Sequence, residues 1–371
     1  MIDGKLISNK KDIDIKFLNS FLGDFLSNFD IKNITFSSVN DFTFSVDNKL
    51  KISDLSITSI INLNTLDYKN DSLSIKKYLP NFQELIKLEN HKILIDYTKN
   101  QLNINGKGDI IIEDKSDNID YKLTRKNNEY NFNTNIFINK NPLLFGGLKY
   151  KKKQNLEALF NIKGIYKNNK EIQLNSISLV DSEKNSFLIK GLYLNDQLKI
   201  YEINSLSFDF MNSNKIKNQI FLTKNKKNYN ITGKSFDAST LLDKLLNNED
   251  DNEDLSLFVK LNSVISIKIV KTYLDNTTFL NSLTGNIVFR NNKINKVKLD
   301  SSFFNNKKIS LTINVNDNNE KITTLFSGYP KPLLKEYKFI KGFEEGILDF
   351  YSIKKDKVSN SILTIDNFKV Q

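Results

Sequence analysis

Ile309-Ser310-Leu311-Thr312-Ile313-Asn314-Val315 decides the fold class, because apolar and polar residues alternate in it without a break. Successive side chains of an extended strand point to opposite faces, so the pattern describes a strand with one greasy and one wet side. The same period recurs on either side of it. Tyr130, Phe132, Thr134, Ile136 and Ile138 alternate with Asn131, Asn133 and Asn135. Leu255, Leu257, Val259, Leu261, Ile265, Ile267 and Ile269 share one face of a run broken only by Ser263. Read as one strand, that run extends roughly 50 Å at ~3.3 Å per residue, long for a compact sandwich.

Short polar segments separate the alternating runs: Asp47-Asn48-Lys49, Lys99-Asn100-Gln101, Lys126-Asn127-Asn128, Asn195-Asp196-Gln197 and Asn291-Asn292-Lys293. Asn and Asp tolerate positive φ and close Asx turns, so these segments predict hairpins, and hairpins in series predict a long antiparallel meander. Four stretches carry helical spacing instead. They are Phe17 to Leu26, Tyr78 to Leu88, Thr240 to Leu246 (with Asp237 or Ser239 as N-cap), and Pro332 to Tyr337. The expected class is therefore mostly β, a long antiparallel sheet with a few short helices. The acidic stretch Asn247-Asn248-Glu249-Asp250-Asp251-Asn252-Glu253-Asp254 lacks apolar anchors and predicts an exposed loop. A boundary there gives an N-terminal part, 1–246, and a C-terminal part, 247–371, of one elongated sheet.

Composition narrows the chemistry. The 371 residues include no Cys, one His and no Trp, and 39% are hydrophobic at a mean hydropathy of −0.40. That is enough apolar material for a core, with no thiolate to pair, ligate or attack. The net charge is +11, yet all but Arg125 and Arg290 of the 54 basic residues are lysine. Bidentate recognition of phosphate and base edges favours arginine, so the charge reads as solvated outer faces and not as a nucleic-acid site. A positive surface can also attract anionic lipid head groups. No apolar run approaches the ~20 residues that span a bilayer, and no leader sequence opens the chain.

Catalytic constellations are not legible. A nucleophile needs a base and an orienting group, and His91, in Glu89-Asn90-His91-Lys92, reads as a loop histidine. One histidine cannot supply the usual zinc set. Glu344-Glu345 and Asp250-Asp251 read as solvated acids. Gly146-Gly147 reads as a turn or bulge, and no glycine pattern fits a phosphate-binding loop. The expectation is a non-enzyme with no metal and no cofactor.

The last third carries a resemblance. Gly233-Lys234-Ser235-Phe236-Asp237-Ala238-Ser239-Thr240-Leu241-Leu242 is followed by paired strands at Gly285–Phe289 and Lys296–Leu299. Then come Pro332-Leu333-Leu334, Tyr337-Lys338-Phe339-Ile340-Lys341-Gly342, Gly346-Ile347-Leu348-Asp349-Phe350 and the closing Ile362-Leu363-Thr364-Ile365-Asp366-Asn367-Phe368-Lys369-Val370. In order and spacing over 230–370 this resembles the C-terminal region of the AsmA-like family of bridge-like lipid transfer proteins. It departs from the family pattern where the double glycine is stretched to Gly342-Phe343-Glu344-Glu345-Gly346, and where Asn360-Ser361 replaces a glycine.

The resemblance implies a repeating β-groove in the periplasm of a Gram-negative envelope. Such a protein carries phospholipid along an apolar track between inner and outer membrane, in outer-membrane lipid homeostasis. It also implies an inner-membrane anchor, which this chain lacks, and hence a piece of a longer protein. The alternative is a non-catalytic β-rich scaffold or assembly factor of the envelope.

The residue pattern is compatible with the groove. A sheet with one apolar face must cover it, and the helical stretches are few and short. Acyl chains can do so, since each buried CH₂ is worth ~0.8 kcal/mol and a chain of about sixteen carbons gains on the order of 10 kcal/mol. The expected groove lining is Leu257, Val259, Leu261, Ile265, Ile309, Leu311, Ile313 and Val315. The expected partners are phospholipid acyl chains and membranes, and no nucleic acid.

Overall fold

The structure, a computed structural model, describes residues 1–12, 30–69, 76–80, 82, 84–113, 115–127, 129–167, 171–240, 258–334, 343–356 and 358–370. The chain divides into two compact units, Met1–Asp196 and Gln197–Gln371.

The first unit is an antiparallel meander. Its strands are β1 (Ile2–Asp12), β2 (Asp30–Val46), β3 (Ile52–Lys69), β4 (Leu85–Thr98), β5 (Gln101–Ile111), β6 (Ser116–Lys126), β7 (Glu129–Phe137), β10 (Ala158–Lys167), β11 (Ile172–Asp181) and β12 (Ser186–Leu194). Each pairs with the next, β7 with β10. Between β7 and β10 a separate hairpin, β8 (Leu143–Phe145) and β9 (Tyr150–Lys152), encloses a single helical turn at Gly146–Leu148.

This hairpin is held by polar groups taken out of water. Lys152 is fully buried and donates to the carbonyls of Asn141 (2.7 Å), Lys153 (3.2 Å) and Asn139 (3.4 Å). Desolvation holds its ammonium below the ordinary lysine range. The Asp117 carboxylate accepts from the backbone N–H groups of Asn139 and Lys140, both at 2.8 Å, and from the Asn141 side chain at 2.7 Å. A buried charge persists only when satisfied in this way.

The second unit contains β13 (Ile200–Met211), β14 (Lys217–Asn225), β15 (Asn228–Asp237), β16 (Ser263–Tyr273), β17 (Phe279–Arg290), β18 (Lys293–Phe303), β19 (Lys308–Val315), β20 (Lys321–Ser327), β21 (Phe343–Lys355) and β22 (Val358–Val370), with the helix α1 (Lys331–Leu334) before β21. Neighbours pair in chain order and antiparallel, except β15 and β16, which run parallel. Among the described residues no pairing joins the first strand of either unit to its last, so neither sheet closes into a barrel.

The hairpin turns follow the expected chemistry. Asn291 and Asn292 have φ of 49° and 63°, the two left-handed residues of a tight turn whose twist matches its strands. Asn127 (φ 56°) turns β6 into β7. The Asn292 amide also donates to the Phe258 carbonyl at 2.9 Å, and its Oδ1 accepts from the Leu261 N–H. Leu261 thereby packs into a buried cluster with Tyr229 and Phe289. Asn292→Gly relieves the φ cost but removes both clamps, so a net destabilisation of about 1 kcal/mol is expected. Faster hydrogen exchange at the Leu261 amide is the accompanying readout.

Two sequence expectations are corrected. The run from Leu255 to Ile269 is not one strand. β16 begins at Ser263, and Phe258 makes only an isolated parallel bridge to Ile200. A parallel β15–β16 pair requires a crossover, and the alternation upstream of Ser263 belongs to that return segment, not to the ladder. Tyr78 to Leu88 is not helical either. Tyr78 to Pro80 turn, and Leu85 starts β4, paired to Lys69 of β3, so long-range pairing overrides the local apolar spacing. The two units divide at Asp196/Gln197, and β15 and β16 pair on either side of the acidic stretch within the second.

Of the helical reading at 332–337, Pro332 to Leu334 lie in α1, and 335–337 lie outside the described residues. The stretches 17–26 and 241–246, the acidic stretch 247–254 and Leu257 lie outside the described residues.

Candidate functional site

The second unit's registers line up one row of side chains across all ten of its strands. Leu206 opposes Leu222, which opposes Ile231, which opposes Ile267. The row continues through Gly285, Leu299, Leu311, Leu325 and Phe350 to Leu363. Every member is apolar or glycine. From Leu206 to Phe350 the leucines, isoleucines and Phe350 are half-buried, and Leu363 is 43% exposed. The opposite face carries Thr232, Lys268, Asn286, Lys298 and Asp349, all exposed. The alternation seen in β19 thus extends to β15–β18, while Phe221, Phe326, Tyr351 and Ile362 put apolar side chains on the opposite face of β14 and β20–β22.

Two covers flank this row. On one side Leu261 packs against Tyr229 and Phe289 at the ends of β15 and β17. On the other, Leu333 of α1 packs with Leu280, Phe303 and Ile309, while Leu334 packs on Leu348. The rows under these covers are sealed: Phe303 is 0% and Leu348 2% exposed. The middle row keeps partial exposure. The result is a trough with apolar floor, running perpendicular to the strands.

Over β19–β22 it holds a cavity of about 250 Å³, walled by Leu311, Ile313, Leu325, Leu334, Phe350 and Leu363. That is just under the ~300–1,000 Å³ of an enclosing small-molecule pocket. Beyond the leucines the wall becomes polar, with Thr323, Ser352 and Ser361, then Lys321 and Lys354. Ser361 Oγ donates to Ser352 Oγ at 2.9 Å, and Ser352 and Ser359 Oγ lie 3.0 Å apart.

The first unit repeats the motif. Ile95, Ile104, Leu123, Phe132, Gly164, Leu174 and Leu192 form a register-aligned row across β4–β7 and β10–β12. From Ile95 to Phe132 it too is half-buried. A cluster of Phe82, Ile110 and Ile112, with Leu79 and Ile86 against it, covers one flank.

Of the residues expected to line a groove, Leu311 and Ile313 wall the cavity. Ile265 stands opposite Tyr229 and Ile287, half-buried, and Val315 stands opposite Lys321. Ile309 lies under α1 in a sealed cluster. Leu261 is core, and Val259 is 39% exposed outside any strand. Leu325, Phe350, Thr323, Ser352, Lys321 and Lys354 escaped the sequence reading. They alternate as β19 does, but only the register shows that they share its face.

His91 corrects another expectation. It is a residue of β4, 1% exposed, opposite Leu63 and not in a loop. Its ring nitrogens meet Tyr121 Oη at 3.3 Å and the Asp109 carbonyl at 2.9 Å. Burial pushes the Tyr121 phenol up to about 12, so it stays protonated. Both imidazole nitrogens are engaged inside the sheet face, where Gly108 leaves room for the ring.

Among the described residues no cluster of His, Asp and Glu is arranged to hold a metal, and no helix is long and apolar enough to cross a membrane. No protein-family model, no curated protein and no solved structure matches the chain.

Proposed function

We propose that this chain is a non-catalytic lipid carrier whose half-exposed apolar row accommodates phospholipid acyl chains. The observation that carries the reading is the uninterrupted row from Leu206 to Leu363, aligned by register through ten strands and left partly open between its two covers. An apolar surface of that length left to water marks a binding surface. A track of near-equivalent apolar positions binds an alkyl chain by area and not by shape, so sliding meets little barrier. The lysine-rich charge suits anionic head groups at the rim.

The resemblance of residues 230–370 to the AsmA-like family supports reading the carrier as a periplasmic protein of a Gram-negative envelope. There it forms part of an inner-membrane-anchored protein conducting phospholipid toward the outer membrane. Neither catalysis nor nucleic-acid binding belongs to this reading.

Photo-crosslinking residues test it. Placed at Leu222, Leu299 and Leu311, they are expected to capture phospholipid in cells. At Lys298 and Thr312, on the opposite face of the same strands, they are not. Equal capture on both faces defeats the carrier and leaves a β-rich envelope scaffold as the better description.

A further inference from the structure

The first unit carries a polar row on the face opposite its apolar one. Lys122 opposes Asn133, Asn133 opposes Lys163, Lys163 opposes Ser176 and Ser176 opposes Lys190, across β6, β7, β10, β11 and β12. The three lysines are exposed, and Asn133 and Ser176 are half-buried. A lysine thus stands on every second strand of the ladder, about 9.6 Å from the next at ~4.8 Å per strand. Among the described residues none of the three lies in an ion pair.

A chain of amides beside the row fixes what the row offers. Asp120 opposes Asn135, and Asn135 opposes Asn161. An ionised carboxylate only accepts, so Asn135 Nδ2 donates to Asp120 at 2.8 Å and Asn135 Oδ1 is left to accept. Asn161 Nδ2 donates to that oxygen at 2.6 Å and to Asn133 Oδ1 at 2.8 Å. The Asn133 carbonyl is therefore turned into the chain, and its Nδ2 has no partner among the described residues. The row presents N–H donors at four of its five positions and a hydroxyl at the fifth. Its complement is an extended ligand of acceptors, with negative charge at intervals of two strands.

We infer that this face binds a linear acidic polysaccharide with a carboxylate on every second sugar. A β-linked pyranose advances its chain by close to one inter-strand spacing, so successive sugars lie over successive strands. Carboxylates then meet Lys122, Lys163 and Lys190, and the hydroxyls of the sugars between them accept from Asn133 and Ser176. Other polyanions fit the spacing poorly. Phosphates of a nucleic-acid strand are set more closely, one per ~3.4 Å of helix axis. Carboxylates along one side of an extended acidic peptide recur every ~6.8 Å. The face points away from the apolar row, so the site stands or falls independently of the carrier reading.

The test titrates the full chain at low salt with a labelled hyaluronan oligosaccharide, whose carboxylates alternate in this way, long enough to cover five strands. Cello-oligosaccharide, which is neutral, and oligogalacturonate, with a carboxylate on every sugar, serve as comparisons. Hyaluronan is expected to bind, and Lys163→Gln to weaken it about five-fold. Lys122→Gln with Lys163→Gln and Lys190→Gln weakens it about a hundredfold, while the matching arginine triple variant retains it. Lys140, Lys151 and Lys184 are exposed elsewhere, and glutamine at all three removes the same charge but leaves the affinity nearly unchanged.

No binding of hyaluronan by the native chain overturns the site, as does an equal loss in the Lys140/Lys151/Lys184 variant. Cello-oligosaccharide binding as tightly as hyaluronan overturns the role of the lysines. Oligogalacturonate binding as tightly reduces the face to a general attraction for polyanions and overturns the match of spacing. Binding of phosphatidylglycerol vesicles in place of hyaluronan, lost in the glutamine triple variant, assigns the face to a membrane surface and overturns the polysaccharide.

Discussion

Gly285→Val is expected to destabilise the second unit by about 4 kcal/mol, the sum of a strained backbone position and an overpacked one. Gly285 has a φ of +153°, a conformation that side-chain-bearing residues rarely adopt. A Cβ there collides with the carbonyl oxygen of Lys298 and comes within 2.9 Å of Leu299 Cα. Both obstacles are backbone of β18, so no rotamer change relieves them. The β17–β18 ladder must open, at the centre of the row that crosses the sheet. Chemical denaturation monitored by circular dichroism measures the loss. A midpoint indistinguishable from that of the native chain contradicts the tight β17–β18 approach.

A polar plug in the floor of the trough gives the largest functional effect. Leu299 and Leu311 are directly opposite on β18 and β19. Leu299→Lys with Leu311→Glu replaces them by a cross-strand pair of opposite charge, which sheets tolerate at half-exposed positions. Stability is therefore expected to change little. An alkyl chain crossing this point loses two leucine contacts and must desolvate two charges. The lost apolar contact alone is about 3 kcal/mol, or about a hundredfold in affinity. Lys298→Glu with Thr312→Lys makes the matching exchange on the opposite face and is expected to leave alkyl binding unchanged. An unaffected affinity in the Leu299/Leu311 variant removes the row from the binding path.

The strands were legible because period-two alternation is local: β7 and β19 carry it in full within single runs. So were the turns, because Asn291-Asn292 and Asn127 supply left-handed φ at low cost. What escaped depends on partners distant in sequence. The segment upstream of Ser263 alternates like a strand, yet the parallel β15–β16 pair makes it a crossover that tucks Leu261 into a core. Leu85 to Leu88 have helical apolar spacing in sequence but pair with β3 in space. His91 sits among polar residues, but the empty space at Gly108, on the neighbouring β5, admits its ring and buries it.

The candidate site was half legible for the same reason. Leu311 and Ile313 announce themselves by alternation. That Lys321 and Lys354 meet across two strands follows only from register, which a shift of one residue would have reversed. The acidic stretch marked a change in composition correctly, but composition does not decide which strands pair across it.

If alkyl chains and not protein complete the covering of the row from Leu206 to Leu363, lipid stays with the purified chain. Mass spectrometry of lipid extracted from the chain purified without detergent tests this most directly. Phospholipid is predicted in stoichiometric amounts with the native chain and at background with the Leu299→Lys/Leu311→Glu variant. A native chain that is folded, lipid-free and unable to take up fluorescent phospholipid contradicts it.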